Sequence, residues 1–172
     1  MGLSVYAAFD DSMHSVDLGV NPHLLGNVLW HIAYTDIFGA GPPEARLARA
    51  WEYIQTEYSK RRTGTQFSNL ELGMFTNEDN PSENSPFLKG KAAENRHLAP
   101  ILRDLWASIS RNTYEDHVTR ALTHLCDYYE CLDFQMQDGS YPLFLPKHIQ
   151  DKLASSVDKF LVHYNQRKTR FC

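Results

Sequence analysis

Cysteine is scarce in this sequence. Only Cys126, Cys131 and Cys172 occur, an odd number with no C-x-x-C pair, so neither a disulfide framework nor a cysteine zinc site is expected. Reduced thiols of this kind fit a nuclear or cytoplasmic setting. Long apolar runs are missing as well. The longest candidate, Leu24 to Ala40, is interrupted by Asn27, His31, Thr35 and Asp36 and falls short of the ~20 apolar residues of a membrane span. Residues 1–20 carry Asp10, Asp11 and Asp17 but no Lys or Arg, so a secretory signal is not expected and the protein reads as not secreted. No G-x-x-x-x-G-K-[ST] or G-x-G-x-x-G phosphate loop occurs, and no repeat of solenoid length. Basic residues are in deficit: 17 Lys and Arg against 21 Asp and Glu give a formal charge of −4. That excludes an all-round nucleic-acid coat but leaves room for a local basic patch.

What is present is an ordinary globular composition, 42% hydrophobic and 22% charged over 172 residues. That length suits one domain, and such a chain buries roughly 70% of its unfolded surface. Residues 4–9, SVYAAF, have the β-branched and aromatic content of a short strand. Asn21-Pro22 then reads as an N-cap and first-turn proline. Leu24, Leu25, Val28, Leu29, Ile32, Ala33 and Ile37 follow at helical spacing, until Gly39, Gly41, Pro42 and Pro43 stop them. A second helix is expected from Glu44 to about Lys60, with Leu47, Ala50, Trp51, Ile54 and Tyr58 on one stripe. Residues 63–88 are irregular, and TNEDNPSENSP within them reads as a surface loop. A third helix is expected over Lys89 to Ser110, kinked or split at Pro100. Thr113 and Asp116 resemble a capping box for a fourth, with Val118, Ala121, Leu122, Leu125 and Tyr129 on its buried face. A fifth runs from about Pro146 to Arg167, striped by Ile149, Leu153, Val157, Phe160, Leu161 and Tyr164. The expected fold is mainly α: a bundle-like domain of four to five helices with one short N-terminal strand. Its parts are a strand and motif over 1–20, two helices over 21–62, the irregular 63–88, three helices over 89–167 and a tail.

The most informative stretch is FDDSMHSVDLGVNPHLLGNVL, Phe9 to Leu29. It sets an acid, Asp11, at the end of the expected strand and His14 three residues on. A carboxylate at a strand end is held in a fixed place, which suits a metal that assists phosphoryl transfer. The plainer structural role for Asp10, Asp11 and Ser12 is a turn and cap before a helix. The pattern D-S-M-H-x-x-D-L-G-V-x-x-H-L-L-G-N-V-L resembles the second-aspartate region of CACTA-type (En/Spm-like) cut-and-paste transposases. A second block, LKGKAAENRHLAPILRDLW over Leu88 to Trp106, resembles a later segment of the same family. ALTHLCDYYECLDF, Ala121 to Phe134, resembles the helix that follows.

The resemblance implies an RNase-H-like DDE centre in which carboxylates hold two Mg²⁺ or Mn²⁺ ions at a DNA phosphodiester. Asp11 would be its second acid and His14 a positioning partner in the D-x-x-H signature. Glu94 is the candidate third acid, and with His97 it forms an E-x-x-H pair on one helical face. Lys89, Lys91, Arg96 and Arg103 would face phosphate, giving DNA and other transposase segments as partners. The family's first acid lies on a strand well upstream of the second, and no such strand precedes Asp10 here. The resemblance therefore implies either part of a longer catalytic region or a domesticated remnant. Either way the expectation is that these residues alone do not cut DNA.

Two other classes compete. Trp30-His31 resembles the first metal-ligand helix of DinB-like four-helix bundles, with His97, His124 and His163 as partners from other helices. A non-catalytic interaction module would instead use Trp51, Tyr53, Tyr58, Tyr128 and Tyr129 as an aromatic surface.

Overall fold

A computed structural model describes residues 12–76, 86–110, 113–137 and 146–168, with side chains from residue 14 onward in the first stretch, 116–133 in the third and up to 163 in the last. Five α-helices occur among the described residues and no strand: α1 (Asn21–Tyr34), α2 (Pro43–Arg61), α3 (Ala92–Ile109), α4 (Thr113–Gln137) and α5 (Lys147–Lys168). The fold is mainly α, as the periodicity predicts. The expected strand over 4–9 lies outside the described residues, as do the polar loop over 77–85 and the side chain of Thr113.

α1 is the central element. Leu24, Leu25, Leu29, Ile32 and Ala33 are fully buried, so the helix is apolar around most of its circumference. It packs against α2, α3 and α4. Burying each of those large side chains stabilises by about 2 kcal/mol. The start of α1 differs from expectation. Asn21 is not an N-cap: Val20 occupies that position with helical angles (φ −76°, ψ −30°) and no side-chain cap forms. The chain enters α1 from a π-helical segment, Ser12–Val20, so its first turn needs no capping side chain and Asn21 turns into the core instead. Gly19 suits the wide turns of this segment, because a Cβ there would lie 3.1 Å from the His14 carbonyl oxygen.

α2 buries the predicted Leu47, Ala50, Ile54 and Tyr58. It ends in a Schellman turn: Arg62 is left-handed (φ 52°), and the N–H groups of Arg62 and Thr63 donate to Ser59 and Tyr58. The following irregular segment contributes Phe67, Leu70 and Phe75 to the core. Pro100 does not split α3, which continues from Ala92 to Ile109. A proline inside a helix costs about 3 kcal/mol. Leu98, Ala99, Ile101 and Leu102 around it are all fully buried, and their burial, about 2 kcal/mol for each large side chain, outweighs that cost.

α4 and α5 form an antiparallel pair. The predicted face of α4 is buried throughout. On α5 the buried stripe is Ile149, Leu153, Ser156 and Phe160, while Val157 is half-buried and Leu161 exposed. The stripe is thus rotated from the purely apolar one. At its far end Cys131, Leu132, Ile149 and Leu153 make a small separate cluster. Tyr58 and Tyr129, expected on an aromatic surface, are core residues. Among the described residues no helix is long and apolar enough to cross a membrane.

Candidate functional site

The two blocks quoted from the sequence meet in space. Residues 86–91, outside any helix, cross α1 and lead into α3. The Leu88 N–H donates to the Pro22 carbonyl at 3.0 Å. Gly26 allows this contact: a Cβ there would stand 2.9 Å from the backbone nitrogens of both Phe87 and Leu88. The glycine of the L-L-G motif is therefore a crossing point of two backbones. One turn into α3, the Asn95 amide donates to the Asp17 carbonyl at 3.4 Å.

Asp17 lies at the centre of this junction and is almost completely buried. The Tyr129 hydroxyl hydrogen-bonds its carboxylate. That hydroxyl accepts from the Asn21 amide at 2.9 Å. Arg96 lies over the Tyr129 ring, 4.9 Å from its centroid. Burial pushes the Asp17 carboxyl above the usual range, against the pull of the Tyr129 hydrogen bond and the Arg96 charge. Burial likewise raises the Tyr129 hydroxyl. Oδ1 of Asp17 and the side-chain oxygens of Asn21 and Asn95 are buried with no protein hydrogen-bond donor. This quartet of Asp17, Asn21, Asn95 and Tyr129 was not predicted from the sequence as a site. The one available signal was that Asp17 and Asn21 stand inside the motif.

The predicted site residues are dispersed by comparison. Asp11 lies outside the described residues. His14 is exposed on the π-helical segment. Glu94 caps α3: its Oε2 accepts the Lys91 N–H at 2.8 Å, and its Oε1 is 3.9 Å from the Lys91 ammonium. The cap occupies the carboxylate that the resemblance assigns to a metal. The His97 Nδ1 is 2.8 Å from the Thr65 carbonyl and carries the donated proton, which leaves Nε2 as the lone-pair nitrogen. Among the described residues no group of three or more His, Cys, Asp or Glu side chains is placed to hold a metal ion. These residues therefore do not by themselves fit a two-metal centre.

The four candidate phosphate-binding cations have protein partners or are widely exposed. Lys89 donates to the Gly73 carbonyl at 3.2 Å, and Lys91 is exposed. Arg96 pairs with Asp133. Arg103 pairs with Asp104 at 2.9 Å and lies 3.8 Å from Glu130. A cleft of about 220 Å³ opens beside Arg96, lined also by Arg61, His97, Tyr129, Glu130 and Asp133. Its guanidiniums are already matched, since Arg61 binds Asp104 at 2.7 Å and Glu57 at 3.2 Å. An anion entering the cleft would compete with these carboxylates.

The histidines of the DinB-like alternative do not gather either. His31 lies edge-on to Trp106, with centroids 5.9 Å apart. His124 and His163 do meet, stacked at 5.8 Å, and His117 joins them from the same helix as His124. No family model matches this chain, and no curated protein or solved structure does so either.

Proposed function

We propose that this chain derives from the part of a CACTA-type DDE transposase that carries the second catalytic aspartate, and that it has no DNA-cutting activity on its own. One observation supports this most directly. The two blocks that resemble the family, separated by about sixty residues of chain, pack on one another through Pro22–Leu88 and Asp17–Asn95 hydrogen bonds. Residues gathered by a shared ancestral site would be expected to stay adjacent. In this proposal Asp11 is the metal-binding carboxylate, Mg²⁺ or Mn²⁺ its ion, and His14 a positioning residue. Glu94 is the weaker member, because its carboxylate already completes a helix cap. DNA and other transposase segments are the partners the proposal assigns, with Lys89 and Lys91 as the better-placed cations and Arg96 and Arg103 held by carboxylates.

The test is an amide NMR titration of the whole chain with Mn²⁺, alongside a plasmid-nicking assay. Broadening centred on residues near Asp11 and removed by Asp11→Asn is the expected result, with no nicking by either protein. Broadening spread over the acidic surface and indifferent to Asp11→Asn would overturn the proposal.

A further inference from the structure

The His117 and His163 rings face each other between α4 and α5 with their Nδ1 atoms 3.2 Å apart. Neither ring is deeply buried, and both nitrogens point into the same gap. Two imidazole nitrogens at this distance need something between them. Without an ion, one must be an N–H donor and the other a lone-pair acceptor. Zinc–imidazole bonds of about 2.0–2.1 Å at tetrahedral angles place two ligand nitrogens roughly 3.3 Å apart. The observed separation fits that bite as well as it fits a shared proton.

We infer that His117 and His163 form a binding site for a zinc- or nickel-type divalent ion that clasps α4 to α5 through their Nδ1 atoms, with water completing the coordination. Imidazole selects this class of ion over Mg²⁺, which demands oxygen ligands. The neighbouring charges are mixed: Arg120 acts against a further cation in the gap, and Asp116 acts in its favour. His124 stacks on the outer face of His163, with its own Nδ1 3.4 Å from Asp127. Asp116, one residue from His117, adds a carboxylate that is shared with Arg120 at 2.8 Å. His124 is not a third ligand in this arrangement, in keeping with the lack of any three-ligand group among the described residues. Two protein ligands make the site a clasp with open positions, unlike the closed four-ligand sites of zinc fingers. Its place in the fold gives it a purpose. It lies far along α4 from the small Cys131–Leu132–Ile149–Leu153 cluster, so an ion there would secure the opposite end of the α4–α5 pair. The inference does not rest on the transposase proposal, since Asp11 and Mn²⁺ play no part in it.

The test is calorimetric titration of the untagged, metal-stripped whole chain with Zn²⁺, Ni²⁺ and, as a control, Mg²⁺. One Zn²⁺ or Ni²⁺ per chain, no Mg²⁺ heat, and a thermal midpoint that rises with Zn²⁺ are expected. His117→Gln and His163→Gln should each weaken binding more than about tenfold, beyond the low end of what loss of an outer-shell partner costs. His148→Gln, on the exposed face of α5, should bind like the parent. Far-UV circular dichroism separates lost ligands from lost helix, so affinities are compared among variants that keep parental helicity. No one-to-one Zn²⁺ or Ni²⁺ binding, or binding that survives both substitutions, overturns the inference.

Discussion

The Asn21 side-chain amide donates to the Tyr129 hydroxyl at 2.9 Å, across 108 residues of chain. The bond ties the first turn of the central helix to the middle of α4, and the hydroxyl passes its own proton toward Asp17. Tyr129→Phe removes both partners at once and leaves buried polar atoms behind. A loss of about 1–3 kcal/mol is expected, read as a lower denaturation midpoint with unchanged slope. A variant as stable as the parent would mean that the hydroxyl carries no structural weight.

Asp17 sets a pH dependence whose sign can be worked out. Its folded-state pKa is raised above the ordinary carboxylate value, chiefly by burial. The native state therefore holds the proton more tightly than the unfolded one, and stability falls as pH rises from about 4 through the folded value. At neutral pH the buried charge is a cost. Asp17→Asn should be more stable than the parent at pH 7, with an amide that can donate to the oxygens of Asn21 or Asn95 that have no donor. The advantage should shrink toward pH 4. Thermal melts of both proteins between pH 4 and 7.5 check this, and a less stable Asp17→Asn at neutral pH would refute it.

Gly26 is expected to tolerate no side chain. Alanine normally gains about 1 kcal/mol over glycine in a helix. Here its Cβ would press on two backbone nitrogens at 2.9 Å, which no side-chain rotation relieves. Overpacking of this kind costs about 1–3 kcal/mol, so Gly26→Ala should lower the melting temperature despite the better propensity.

Glu94 separates a cap from a metal ligand. Glutamine keeps an oxygen for the Lys91 N–H, whereas alanine does not. If the cap is the role, Glu94→Ala loses about 1 kcal/mol and Glu94→Gln much less. If the charge is needed for an ion, both substitutions should abolish the Mn²⁺ response near Asp11 equally. We expect the first pattern in stability and an undiminished Mn²⁺ response in Glu94→Gln.

Much of the helical layout was legible because apolar spacing is a local property. The stripe of α4 is buried as its sequence predicts, and that of α2 likewise except for the half-buried Trp51. On α5 packing against α4 brought Ser156 inward in place of Leu161, a choice made by the neighbouring helix. Pro100 reads locally as a break, yet α3 continues because its flanking residues are buried on several sides. Asn21 reads locally as a cap, yet a preceding helical turn frees its side chain for Tyr129. Glu94 and Arg96 are ambiguous as sequence, since a charged residue in a first turn suits a cap, an ion pair or a ligand alike.

By itself, the sequence determined the helices and most of their apolar faces, since both depend on residue type and short-range spacing. Only the tertiary structure decided which polar groups share an interior. Asp17, Asn21, Asn95 and Tyr129 form one buried network, and His117 meets His163, because helix packing sets distances between residues far apart in the chain. Burial then sets the energetics, as at Asp17, where loss of water rather than any neighbour in sequence raises the proton affinity.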